Sequence, residues 1–153
     1  MSDKEKKIFE KITEYLNKLN LKYQYEAKNN RIRIPFILKV GEKKYTAYIY
    51  ISWNEKWILC ITPLVRVADI PPEVSREEVY ERLLLETYYL YEVTYGLTKD
   101  GYIVVHAETA VSALSFENFD VELRSIIFGV KYFIEKILPD FEELRSKALP
   151  IYV

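Results

Sequence analysis

The sequence predicts an α+β fold: a single antiparallel (mixed) sheet in the element order α-β-β-β-(β)-α-β-β-α, with helices packed on the sheet. Three observations lead there. Segments with an apolar residue every three or four positions stand apart from segments of period two. The period-two segments come as runs joined by turns instead of alternating singly with helices, which argues against a parallel α/β core. No segment repeats another. With 153 residues, half of them apolar, the chain fits one domain, read as 1-153 with 140-153 as a C-terminal extension, and lies well outside the disordered range.

The first helix starts at Ser2, whose hydroxyl can accept from the free amides of the first turn while Glu5 completes a capping box. Ile8, Phe9, Ile12, Tyr15, Leu16 and Leu19 recur at helical spacing, with Lys4, Lys7, Lys11, Glu14 and Lys18 on the wet side. From Leu21 the period becomes two, first in a weak strand through Tyr23 and Tyr25, then from Arg31 to Val40. In the second strand Ile32, Ile34, Phe36, Leu38 and Val40 share one face, and Arg31, Arg33 and Lys39 fall on the other. Pro35 cannot donate to a ladder, so this strand belongs at an edge or a bulge. A turn at Gly41 and Glu42 leads to Lys43–Ser52, where Tyr45, Ala47, Ile49 and Ile51 form one row and Thr46, Tyr48, Tyr50 and Ser52 the other. Trp57 to Val67 is apolar on both faces, the pattern of a central strand or of one covered on its second face.

Pro71 and Pro72 close this block, and Ser75 with Glu78 forms a second capping box on a helix that ends near Tyr89. A hairpin follows, Tyr91–Thr98 and Tyr102–Thr109, around a turn of Lys99, Asp100 and Gly101. With Thr98 opposite Tyr102, Leu97 faces Ile103, Tyr95 faces Val105 and Val93 faces Ala107, and these six share one buried face. The last helix carries Phe119, Leu123, Ile126, Ile127, Val130, Phe133, Ile134 and Ile137, and Pro139 ends or kinks it. A short helix and an apolar arm, Ala148 to Val153, complete the chain.

Composition narrows the functional classes. The 22 basic and 23 acidic side chains nearly cancel, leaving no strong field to draw the protein onto nucleic acid or an anionic membrane. No apolar run is long enough to span a bilayer, and Met1 to Lys7 lacks the apolar stretch of a secretory signal, so a cytoplasmic protein is expected. The one cysteine, Cys60, lies in an apolar run and reads as a small buried hydrophobe. The four glycines are isolated and make neither a phosphate-binding loop nor a dinucleotide fingerprint, so no cofactor is expected.

Two constellations remain. The hairpin register sets Glu92 opposite Glu108, with His106 beside Glu108, on the face away from the core. Two carboxylates and an imidazole can hold zinc or manganese or act as an acid/base pair, which defines an enzymatic alternative. No HExxH-type spacing supports the metal, and a solvated outer face answered by Arg31, Arg33 or a lysine is the reading preferred. The second constellation is aromatic: among 14 tyrosines, Tyr48 and Tyr50 stand out as exposed anchors beside Arg31, Arg33 and Lys39. Such a platform can stack single-stranded nucleic acid, but the recognition-motif sequence is missing and the charge is near neutral, so nucleic acid is not expected.

Residues Glu81 to Glu108, ERLLLETYYLYEVTYGLTKDGYIVVHAE, combine a helix of leucines, a short strand, an acidic-Gly turn and a second strand ending in an acid. FENFDVELRSIIFGVKYFIEKIL supplies a last helix. In these features and in its order of elements the chain resembles the type III secretion chaperone-like fold, in particular its YbjN-like branch. The resemblance implies a non-enzymatic module that forms homodimers and binds polypeptide, often an extended segment laid over hydrophobic patches. Secretion chaperones proper are strongly acidic and this chain is not, so the expectation is a generic peptide- or protein-binding module of unknown client. Arg31–Val40 is then the edge for an added strand. The apolar part of the second helix, near Leu84, Leu85 and Tyr88, is a surface that a symmetric dimer can use twice, as is the aromatic sheet face.

The chain has one Cys, one Met and one Gln against many Lys, Glu, Ile and Tyr, the composition of a thermophile protein. Thermal unfolding followed by circular dichroism should show a midpoint above the mesophile range of about 45–65 °C.

Overall fold

Three helices lie on one side of an open sheet, and the order in which the strands pair decides which residues meet. The computed structural model describes residues 1–151 and Val153. Among them are α1 (Asp3–Lys18), β1 (Gln24–Glu26), β2 (Arg31–Val40), β3 (Lys43–Trp53), β4 (Trp57–Arg66), α2 (Arg76–Tyr89), β5 (Thr94–Leu97), β6 (Tyr102–Ala110) and α3 (Phe116–Tyr132). The six strands form one sheet in the order β1-β2-β3-β4-β6-β5, and every neighbouring pair is antiparallel. The α+β architecture is the expected one. The four-strand block and the hairpin join where β6 pairs with β4, after the chain has crossed over through α2.

Each helix opens on a serine whose hydroxyl accepts an amide three residues on: Ser2 from Glu5 at 3.1 Å, Ser75 from Glu78 at 3.2 Å and Ser115 from Asn118 at 3.1 Å. The stripe of α1 buries Ile8, Ile12, Tyr15 and Leu16, and α3 buries Phe119, Leu123, Ile126 and Val130. Both pack on the sheet face made by Ile32, Ile34, Ala47, Ile49, Ile51, Ile58, Cys60, Ile103 and Val105, in one continuous core. Trp53 stacks on Phe9 at 5.5 Å and donates its indole N–H to the Glu5 carbonyl at 3.2 Å, tying α1 to β3.

The tightest approach is α3 on β6. A Cβ at Gly129 would stand 2.7 Å from Val105 Cγ2 and 3.1 Å from Val93 Cγ1, so only glycine lets the helix lie this close. The Tyr95 hydroxyl donates to the Gly129 carbonyl at 2.6 Å, and burial, chiefly, pushes this phenol up from its ordinary pKa. The Tyr95 amide in turn donates to Thr87 Oγ1 at 3.0 Å, which fixes α2 beside β5.

The hairpin keeps the expected register, with Tyr95 opposite Val105 and Leu97 opposite Ile103, and Gly101 closes its turn at φ +87°. Two expectations about it are corrected. β5 begins at Thr94, because Glu92 adopts a left-handed φ of 61° that takes the backbone out of the ladder, so Glu92 has no cross-strand partner in Glu108. Leu97 is 57% exposed, because β5 is the outermost strand and the apolar hollow between it and α2, lined by Tyr80, Leu83 and Leu84, is not filled.

Elsewhere the pattern reads through. β1 pairs only with Arg31–Arg33, so Pro35 sits on the open outer edge of β2. β4 is central and carries a bulge between Pro63 and Val65. Beyond Tyr132 the helix passes into a π-turn, Phe133–Ile137, and a 3-10 turn containing Pro139. A further 3-10 turn, Glu142–Lys147, leads into the arm, and Leu144, Ala148 and Leu149 join the core.

Gly129→Ala should lower stability by about 1–3 kcal/mol through overpacking against Val105 and Val93, despite the gain of about 1 kcal/mol that alanine brings to a helix interior. Urea unfolding of the two proteins measures the difference, and an unchanged or higher stability would mean that α3 can lift off β6 without cost.

Candidate functional site

Strand alternation puts a second set of side chains on the sheet face opposite the core, where no helix packs among the described residues. β2 contributes Arg31 and Arg33, β3 Tyr48 and Tyr50, β4 Leu59 and Ile61, and β6 Tyr102, Val104, His106 and Glu108. The Arg31 guanidinium lies 4.1 Å above the Tyr50 ring, and that of Arg33 lies 5.4 Å from the Tyr48 ring centre. Glu26 on β1 reaches both arginines, at 3.3 and 3.7 Å. Of the residues expected to form a platform, Arg31 and Arg33 lie over Tyr50 and Tyr48, while Lys39 sits further along β2 opposite Lys44 and Tyr48 is half-buried; two further corrections follow. Tyr50 is only 3% exposed and is no exposed anchor. The two arginines pair with Glu26 and are not turned toward the acids of the hairpin.

Tyr50 is covered on one side by Arg31, which in turn donates to a main-chain oxygen of Val153, and Ile151 is 8% exposed. Tyr50, Val104 and Ile151 are all buried yet stand outside the continuous core.

The outer side of α2 is the opposite case, apolar and uncovered. Val79 and Leu83 turn inward, whereas Leu84 is 71% exposed, Tyr88 81%, and Leu85 and Tyr89 are exposed with them. The rings of Tyr88 and Tyr89 meet edge-on at 4.9 Å. Tyr89 and Leu97, both exposed, extend the surface expected from Leu84, Leu85 and Tyr88. The signal was present in LLLETYYLY, which holds more apolar side chains than one buried helix stripe can take.

On the hairpin, His106 Nδ1 and Glu108 Oε1 are 2.6 Å apart on the outer face. Glu92 and Glu108 lie instead near Glu122 of α3, whose carboxyl is pushed up from its ordinary pKa by burial and then by these two charges. Among the described residues no group of three or more His, Cys, Asp or Glu is placed to hold a metal ion, so Glu92, His106 and Glu108 do not form a ligand set. Cys60 is buried on the core face, and its thiol is pushed up to about 12 by burial, then by Glu122 and Glu108, which keeps it protonated and unreactive.

This one-sided antiparallel sheet, with its split order of four strands, helix, hairpin and helix, is the type III secretion chaperone-like fold. The chain is similar to one in the ExsC–ExsE complex, with a TM-score of 0.56 and 12% identity over 84% of this chain and 92% of the other. It is also similar to one in the heterodimeric ExoU–SpcU complex from the type III secretion system of Pseudomonas aeruginosa, with a TM-score of 0.50 and 16% identity over 76% and 89% of the two chains. At such identities the likeness is one of fold. No protein-family model matches the sequence, and neither does any curated protein.

Because its folded pKa is raised, Glu122 contributes stability that is fully present below the ordinary value of 4.5 and is lost as pH rises through the raised one. Glu122→Gln should therefore melt higher than the parent at neutral pH, and the two should converge below pH 4.5.

Proposed function

We propose that this protein is a non-catalytic protein- or peptide-binding module, chaperone-like or regulatory, that works as a homodimer built through α2. The observation that carries this reading is the uncovered apolar face of Leu84, Leu85, Tyr88 and Tyr89, of a kind that soluble chains seldom leave in water without a partner. A two-fold dimer uses such a patch twice, Leu against Leu and Tyr against Tyr. Support also comes from the relatives in fold, which were solved as two-protein complexes, ExsC with ExsE and ExoU with SpcU.

The layout keeps self-association and client binding apart. α2 stands beside β5 at one edge of the sheet, while the open edge of β2 beyond Arg33 lies near the other. An extended client can add to that edge through its main chain and lay side chains on the sheet face. We place the module in the cytoplasm. Among the described residues no helix is long and apolar enough to cross a membrane.

Replacing both Leu84 and Leu85 by Ser removes four leucines from a symmetric interface. Even at about 1 kcal/mol each, below the value for full burial, this should raise the dimer dissociation constant about a thousandfold. Light scattering on the folded variant should read a monomer where the parent reads a dimer, and a dimer unaffected by the change would take α2 out of the interface. Affinity capture of the tagged parent protein from its native lysate, with mass spectrometry of what is retained, tests the client. Return of the protein alone would count against a binding module.

A further inference from the structure

The start of β3 and the turn Glu142–Lys147 enclose a polar hollow that neither the α2 face nor the edge of β2 uses. Lys43, Lys44, Tyr45 and Thr46 line it from the strand, and Glu142, Arg145 and Ser146 from the turn. Ala148, Leu149 and Pro150 make its apolar part. Its volume is about 490 Å³, within the range of about 300–1,000 Å³ that small-molecule sites occupy.

The charges in this hollow do not balance. Three cations line it against one carboxylate, and that carboxylate is taken: the two oxygens of Glu142 each accept from Arg145 at 3.1 Å. The same pairing, ahead of the charge of Lys43, holds the Glu142 carboxyl below its ordinary pKa. Lys43 and Lys44 are exposed and form no salt bridge among the described residues. Lys44 also stands directly opposite Lys39 in the β2–β3 ladder, and like charges so placed repel. An anion held at Lys44 offsets that repulsion.

Tyr45 adds a donor of a different kind. Its ring belongs to the core and the residue is only 9% exposed, yet its hydroxyl meets Arg145 Nη1 at 3.4 Å, on the side of the hollow. That oxygen accepts from the guanidinium, and no acceptor among the described residues takes the phenolic proton. Two ammonium groups, a phenol and the hydroxyls of Thr46 and Ser146 thus surround a space with two positive charges in excess. A carboxylate answers one of those charges. A phosphoryl group, with a charge of about −1.5 to −2 and three acceptor oxygens, answers both.

We propose that this hollow is a binding site for a phosphoryl group, held by Lys43, Lys44 and Tyr45, as the free ion or as a small monoester whose organic part lies on Ala148, Leu149 and Pro150. The volume is more than a bare phosphate ion fills, which favours the ester. The site stands apart from the proposed dimer and client surfaces and does not depend on them.

Isothermal titration of the full chain with sodium phosphate and with glycerol 3-phosphate, at ionic strength held constant with chloride, tests the site and separates its two sources. Both should bind saturably; tighter binding of the ester assigns the monoester, and equal binding assigns the free ion. Lys43→Gln and Lys44→Gln should each weaken binding about tenfold, because each removes a charge-assisted hydrogen bond. Tyr45→Phe keeps the ring and should weaken it severalfold. Lys28→Gln makes the same change of charge away from the hollow and should leave the affinity as it is. No saturable binding of either ligand, equal affinity in the parent and both lysine variants of the hollow, or an equal loss in Lys28→Gln would overturn the site.

Discussion

A sheet has two faces, and this chain supplies helices for one of them. α1 and α3 both lie over the side made by Ile34, Ile49, Ile51, Ile58 and Val105, and their fit depends on Gly129, where the α3 backbone comes down onto Val105 and accepts the Tyr95 hydroxyl. That contact sets the height of α3 above the sheet. Through Tyr95 it also fixes β5, and through the amide of Tyr95 and Thr87 it fixes α2. A chain of three contacts therefore runs from the best-packed point of the core to the helix whose outer side is uncovered.

The one-sided arrangement leaves the second face to be managed by side chains alone. Its apolar residues are interleaved with groups that shield them: Arg31 and Arg33 lie over tyrosines, and Glu26 pairs with both. Arg31 in turn donates to a main-chain oxygen of Val153. Each of these contacts is modest by itself, since a partly exposed stacked arginine contributes on the order of 1 kcal/mol.

α2 shows how the same physics gives the opposite result. Val79 and Leu83 are buried on its inner side, while Leu84, Leu85, Tyr88 and Tyr89 stand exposed on its outer side. Its position is beside the outermost strand, at the edge of the sheet away from β1.

By itself the sequence determined the parts whose causes are local. Ser2 and Ser75 mark two helix starts, the alternation of Arg31–Val40 and Lys43–Ser52 assigns each residue to a face, and Gly101 in its turn sets the hairpin register down to Tyr95 opposite Val105. Leu84, Leu85 and Tyr88 were legible as surplus for the same reason, because a helix of known period has only so much buried surface. Only the tertiary structure decided which elements become neighbours. It brought Glu26 to Arg31 and Arg33, Leu149 to Leu64 and Val153 to Arg31, turned Glu92 out of the ladder toward Glu122 and left Leu97 at an open edge. Periodicity tells on which face a side chain lies. What covers that face depends on contacts between residues far apart in the chain, and those are settled when the whole core packs at once.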